Sequence, residues 1–253
     1  LTKRSARTET GLFLLEGPQA VREALAYRPD AVIELFATPT SWDKHADLHA
    51  VAADAGVDVE FVTAQVLSAM ADTVTPQGLV AVARQTPASV REIFSGSPRL
   101  IAICEEVRDP GNLGTIIRAA DAAGADAVVL TGRTVDPFNP KVVRSTTGSL
   151  FHLPISVGGD LADVIDRAHA AGLEVVAADV KGEDLLSARA SGVLTRPTAW
   201  LFGNEARGLT DEALGLADSA LKVPIFGRAE SLNLATAASV CLYESAFAQR
   251  AQG

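Results

Sequence analysis

Cysteine, methionine and aromatic residues are scarce in this chain. Its 253 residues include two cysteines, one methionine and two tryptophans, and aromatics make up 5% of the total. Cys104 and Cys241 lie far apart in apolar surroundings. That excludes a disulfide framework and reads as two buried thiols in a reducing compartment. No apolar run reaches the roughly 20 residues of a membrane span, and the first residues do not resemble a signal peptide. A soluble cytoplasmic protein is expected. Histidine is also sparse. His45 and His49 stand four apart with Asp43 and Asp47 nearby, but no Glu adjoins the first His and no further ligand cluster follows. A solvated helix face is expected there, and no metal. His152 and His169 are isolated, and Trp42 and Trp200 read as packing residues. The G-x-G-x-x-G fingerprint is missing, which disfavours a nicotinamide-dependent dehydrogenase.

What is present is a core. The chain is 48% hydrophobic, rich in Ala, Val and Leu, enough for one or two domains of helices packed on strands. The first part alternates short strands and helices: strands at 12–15, 31–37, 57–62 and 79–83, helices at 19–26, 42–55 and 67–71. Breakers from Thr86-Pro87 to Ser95-Gly96-Ser97-Pro98 place a boundary there, giving a small α/β domain over 1–96 and a second domain over 97–253. The second domain opens with the continuous apolar run Leu100–Cys104, as in a buried parallel strand. Strands at 127–130, 153–157, 173–178, 198–202 and 220–223 follow, with helices at 112–123, 141–145, 161–171, 211–216 and 233–249 between and after them. Strand and helix alternate throughout, so an α/β fold with a parallel sheet covered by helices on both faces is predicted.

The net charge of −9 weighs against a nucleic-acid partner, because phosphate binding is supplied mainly by Lys and Arg. A local patch is sufficient, however. The chain opens with Lys3, Arg4 and Arg7, and Arg108, Arg118, Arg133, Lys141, Arg144, Arg207 and Arg228 stand beside predicted loops.

Three segments carry polar residues suited to chemistry at strand ends. Asp109-Pro110-Gly111-Asn112-Leu113-Gly114 opens a helix and leads to Arg118. Gly203-Asn204-Glu205-Ala206-Arg207-Gly208 follows the strand at 198–202. Pro224 to Asn233, with Glu230, Ser231 and Asn233, runs into the closing helix. Glycine lets backbone N–H groups approach a ligand, and a helix start has unpaired N–H groups. Helix capping explains Ser231 and Asn233 taken alone. In open α/β sheets, ligands bind at the carboxyl ends of strands. Three such ends on one edge argue for a site.

Together, Asn112-x-Gly114-x-x-x-Arg118, Gly203-x-Glu205-x-x-Gly208 and Pro224…Glu230-Ser231-Leu232-Asn233 resemble the three motifs of the SpoU (TrmH-like) family of RNA ribose 2′-O-methyltransferases. The resemblance covers about residues 99–253. Phe13-Leu14-Leu15-Glu16-Gly17 and Thr75-Pro76-Gln77-Gly78 look like parts of the small RNA substrate-binding domain that often precedes the catalytic one. The resemblance implies a deep trefoil knot at the C-terminal end of the catalytic domain. It also implies S-adenosylmethionine as cofactor, with Gly203, Val223 and Leu232 lining the adenosine site and Ile225 and Thr131 as neighbours. Arg118, Asn112, Glu205, Ser231 and Asn233 become the expected catalytic set. Arg118 would orient the ribose hydroxyl and stabilise charge, since a guanidinium keeps its proton. Arg144, Arg4 and Arg7 are the expected RNA contacts. The acceptor is structured RNA, with ribosomal RNA favoured over transfer RNA. High Ala and Val with few Lys point to a GC-rich source, where some relatives confer antibiotic resistance. A homodimer is expected through the closing helix, whose Ala235, Ala237, Ala238 and Leu242 would permit close packing or fill the internal core. A non-catalytic RNA-binding protein of the same fold is the reading from another class.

Overall fold

The computed structural model describes residues 1–251. The chain divides into two compact units, residues 1–86 with 136–152, and residues 87–135 with those from 153 onward. Among the described residues, no helix is long and apolar enough to cross a membrane.

The first unit begins with α1 (Arg4–Thr10), β1 (Leu12–Glu16), α2 (Pro18–Tyr27), β2 (Val32–Ala37), α3 (Pro39–Lys44), α4 (Asp47–Ala55), β3 (Val59–Phe61), α5 (Ala64–Met70) and β4 (Leu79–Arg84). Its sheet has the order β1-β4-β2-β3. This sheet is mixed. β4 runs antiparallel to both neighbours, and only β2 and β3 are parallel. The apolar run Leu79–Ala83 reads the same in either direction, so its residue pattern specifies burial but not orientation. The helix expected over 42–55 is two helices. His45 ends α3, its N–H donating to the Ser41 and Trp42 carbonyls. The His49 ring stacks on Trp42 at 4.5 Å and bonds its carbonyl. Among the described residues no group of three or more His, Cys, Asp or Glu could hold a metal ion.

The second unit starts with α6 (Val90–Ser95), β5 (Leu100–Glu105), α7 (Pro110–Ala123) and β6 (Ala127–Thr131). The chain next supplies α8 (Pro140–Thr146) to the first unit. It then returns with β7 (Ile155–Gly159), α9 (Leu161–Ala170), β8 (Glu174–Asp184), α10 (Leu185–Ala190), β9 (Thr198–Phe202), α11 (Asp211–Leu216), β10 (Ser219–Lys222) and α12 (Leu234–Arg250). The division differs from the single break expected after residue 96. Ile93 and Phe94 of α6 join the core of the second unit, and residues 136–152 leave it. Phe138 and Phe151 from that excursion pack on Phe13, with ring centroids 4.9 and 6.4 Å away.

The six strands of the second unit are all parallel, in the order β10-β8-β9-β5-β6-β7. β6 and β9 are buried at every position, as strands covered on both faces must be. β8 continues six residues past its expected end at 178, to Asp184. That is possible because Gly182 meets β10 so closely that a Cβ there would lie 2.4 Å from the Ala220 backbone. α7 is started by Asp109, whose side chain accepts from the Asn112 N–H, with Pro110 in the first turn; Gly124 ends it in the left-handed region. α12 packs against α7. Its Ala235, Ala238 and Leu242 are buried in that internal core, leaving Tyr243 and Phe247 exposed.

Two buried polar features yield tests. The fully buried Trp200 donates its indole N–H to Ser245 Oγ at 2.9 Å. Ser245→Ala orphans that donor and should cost about 1–3 kcal/mol in denaturant titration. Burial pushes the Cys104 thiol up to about 12, aided by the Glu205 charge. Burial likewise pushes Cys241 up to about 12, aided by Glu244. A thiol with a raised folded pKa favours the fold below its unfolded value and loses that contribution as pH rises toward the folded one. Unfolding free energy should therefore decline between pH 9.0 and about 12, and less so in Cys104→Ala. Both thiols should resist iodoacetamide at pH 8 until urea is added.

Candidate active site

The segments after β5, β9 and β10 meet at one edge of the second sheet. The first two are held there by one carboxylate. Glu205 Oε1 accepts the backbone N–H of Asp109 at 2.9 Å and that of Arg108 at 3.1 Å. Oε2 accepts Arg108 N–H at 3.2 Å. Asn112 Nδ2 reaches Oε1 at 3.5 Å, and Asn204 Nδ2 reaches Oε2 at 3.4 Å. The loop after β9 is thereby tied to the amino end of α7, where free N–H groups and the helix dipole favour a carboxylate.

The segment before α12 is tied in by amides. Asn233 Oδ1 caps α12, accepting from Ala235 and Thr236 N–H at 2.9 and 3.2 Å. Its Nδ2 donates to Asn112 Oδ1 at 2.9 Å. Asn233 is thus both the cap that its residue type predicts and a cross-tie between two motifs. An open depression of about 800 Å³ results, lined by Arg108, Asp109, Asn112, Asn204, Glu205, Ala206, Arg207 and Asn233.

Gly203 explains how the loop after β9 closes. A Cβ at this position would lie 2.5 Å from the Gly208 carbonyl carbon and 2.6 Å from Leu209 N. Asn204 and Gly208 bridge each other through their backbones, with Gly208 at φ +69°. Asn204 sits inside the bridge. Its Oδ1 accepts from Ala206 and Arg207 N–H, and its Nδ2 donates to the Glu106 carbonyl at 2.9 Å.

Of the expected catalytic residues, the structure brings together Asn112, Glu205 and Asn233. Ser231 is exposed on the segment leading to α12. Arg118 is exposed on α7 and holds no ion pair to a described residue. At about 1.5 Å per residue it lies roughly 9 Å along the axis from Asn112, outside the depression lining. Gly203 and Val223 directly follow β9 and β10. Ile225 and Leu232 are apolar and exposed, at 37% and 38%.

Two expectations need correction. Thr131 ends β6, two strands from β9, and is fully buried with its hydroxyl donating to the Cys104 carbonyl, so it offers no face to a ligand at Gly203. Arg7 is 1% exposed. Its guanidinium pairs with Asp136 at 2.7 Å and donates to the Leu1 and Thr2 carbonyls, which removes it from the surface contacts. Arg144 belongs to the first unit through α8 and is held there by Glu16 and Asp72, each at 3.2 Å. Arg4 is exposed. The lining also holds Arg108, Asp109, Asn204 and Arg207, which the expected site set leaves out although Arg108 and Arg207 stand among the basic residues beside predicted loops. Asn204 and Arg207 lie within the Gly203–Gly208 motif, and that adjacency was the available signal.

A parallel α/β sheet with its strand-end loops gathered over a helix start defines a ligand-binding enzyme of the doubly covered class. Residues 99–243 match the model of the SpoU rRNA Methylase family, and residues 14–88 match that of RNA 2′-O ribose methyltransferase substrate binding. This chain belongs to the SpoU rRNA methylase family. It is 34% identical to the Bacillus subtilis 23S rRNA (guanosine(2553)-2′-O)-methyltransferase RlmP, covering 96% of this chain and 92% of that protein. An AdoMet-bound rRNA methyltransferase from Sinorhizobium meliloti superposes with TM-score 0.81 at 35% identity, over 96% of this chain and 90% of that one. The AdoMet complex of AviRb from Streptomyces viridochromogenes gives TM-score 0.81 at 31% identity, over 99% and 95%.

Gly203→Ala should force the 203–209 loop apart and cost about 1–3 kcal/mol. Thermal unfolding reads the loss. An unchanged melting temperature would show that the loop has slack that the close approach denies.

Proposed function

We propose that this chain transfers a methyl group from S-adenosylmethionine to a ribose 2′-hydroxyl of structured RNA, with 23S ribosomal RNA as the favoured substrate. The observation that carries the reading is the convergence of three motif segments through Glu205, Asn112 and Asn233. The family assignment supports the same chemistry. Gly203, Val223, Ile225 and Leu232 would hold the cofactor. They fit it in kind, since the exposed apolar side chains of Ile225 and Leu232 suit an adenosine. When bound, S-adenosylmethionine supplies a methyl group already activated by a positively charged sulfur.

The protein's task is then alignment of the acceptor. Arg118, whose exposed guanidinium holds no ion pair to a described residue, orients the ribose hydroxyl and its neighbouring phosphate and stabilises developing charge. Ser231 offers a hydroxyl on the acceptor side. Glu205, Asn112 and Asn233 act by positioning, because their polar atoms are already engaged in holding the three segments. Residues 1–96 contribute RNA binding, with exposed Arg4 as a contact. The proposal includes a deep trefoil knot formed by the chain from β9 to α12. It also includes a homodimer through α12, for which Tyr243 and Phe247 are the exposed apolar residues. A sedimentation experiment showing a monomer at micromolar concentration would defeat the dimer.

The relatives from Bacillus subtilis and Streptomyces viridochromogenes are named for guanosine 2553 and uridine 2479. The nucleotide modified by this chain is therefore a question for mapping 2′-O-methyl sites with and without the protein. Antibiotic resistance belongs to the proposal as its narrower form. It predicts a mark in a drug-binding RNA segment and a raised inhibitory concentration for that drug. Methyl transfer to transfer RNA, or RNA binding without transfer, are the competing outcomes of a tritium-transfer assay on total RNA. Arg118→Ala should lower transfer by about 10²–10³-fold while calorimetric S-adenosylmethionine affinity stays within a few-fold. Wild-type turnover in that variant would remove Arg118 from the mechanism.

A further inference from the structure

The rim of the depression carries two arginines joined to one carboxylate. Glu106 follows β5 with φ +52°, a left-handed conformation at a residue other than glycine. Its backbone is pinned on both sides. Its N–H donates to the Thr131 carbonyl at 3.1 Å, and its carbonyl accepts from Asn204 Nδ2 at 2.9 Å. Its carboxylate meets two arginines that line the depression. Oε2 pairs with the guanidinium of Arg207 and with Arg108 Nη2 at 3.4 Å. The Arg108 and Arg207 side chains are each 55% exposed, whereas that of Glu106 is 17% exposed.

Exposed ion pairs contribute little to stability, so stability alone is a weak reason for this arrangement. The geometry is more telling. Both guanidiniums converge on the Glu106 carboxylate, whereas the Glu205 carboxylate is turned to the Arg108 and Asp109 N–H groups and that of Asp109 to the Asn112 N–H. Two guanidiniums bridged by a carboxylate oxygen also match the oxygens of a phosphodiester, which arginine binds through the same charge-assisted hydrogen bonds.

We propose that Arg108 and Arg207 form a clamp for one backbone phosphate of the RNA, and that Glu106 occupies the phosphate's place in the free protein. The clamp rests on the RNA-methyltransferase reading and extends it to a specific subsite. Arriving RNA displaces the Glu106 side chain from the two guanidiniums, while the pinned Glu106 backbone keeps the loops in register. No bond is made or broken. Glu106 is a positioning residue that competes with substrate.

The test uses the full chain and an unmodified 23S rRNA transcript, with binding followed from about 50 to about 200 mM salt. Arg207→Ala and, independently, Arg108→Ala should weaken binding several-fold and lower the salt slope by about 1. Glu106→Gln, nearly isosteric, should tighten binding several-fold without lowering that slope. Thermal melting and S-adenosylmethionine calorimetry check that each variant is folded. Weaker RNA binding by folded Glu106→Gln, or an unchanged salt slope in both arginine variants, overturns the clamp. Wild-type methyl transfer to the transcript is measured alongside. If the wild type binds without transferring, the enzymatic reading fails and the clamp stands. If it transfers while all three variants bind as wild type, only the clamp fails.

Discussion

The carboxylate of Glu205 is the constraint on which the site depends. A single side chain on the loop after β9 accepts the N–H groups of Arg108 and Asp109, just ahead of α7. Those N–H groups have no partner within the helix, and the helix dipole adds a favourable field. The tie joins the carboxyl ends of two neighbouring strands, β5 and β9, across nearly a hundred residues of sequence. Asn233 extends it to the start of α12 by bonding Asn112. Without these bonds the three segments would be separate loops, each free to sample other conformations at small cost.

This arrangement separates the floor of the depression from its rim. On the floor, carboxylate and amide groups are consumed by backbone partners, so they give rigidity rather than reactivity. On the rim, arginines are more than half exposed and only partly neutralised. The protein as a whole is acidic, at −9, but field is a local property. An anion can be met where two guanidiniums converge, as Arg108 and Arg207 do on Glu106.

Much of this was legible in the residues. Leu100–Cys104 announced a buried parallel strand by unbroken apolarity, and it and Thr198–Phe202 are strands of the six-stranded sheet. Asn233 marked a helix start by type, and it caps α12. The spacing of Gly203 and Glu205 signalled a strand-end loop. Other features left no trace in local pattern. The direction of β4 depends on which strands it enters between. The transfer of residues 136–152 to the first unit depends on Phe138 and Phe151 meeting Phe13. Arg7 looked like surface charge until Asp136, 129 positions away, was placed against it. The family resemblance implies Thr131 as a neighbour of the adenosine site, whereas strand order sets it two strands from β9.

Sequence alone determined the element types, the helix caps, the existence of a parallel α/β core and the three polar segments at its strand ends. These depend on periodicity, backbone preference and side-chain chemistry, all carried within a few neighbouring residues. Tertiary structure decided strand orientation in the first sheet, the discontinuous first unit, and which charges are spent and which are free. Arg7 and Arg207 are the same residue type, yet one is buried against Asp136 and the other stands at the rim of the site. The physical reason is that a charge's environment is set by partners distant in sequence, and only the folded chain brings those partners together.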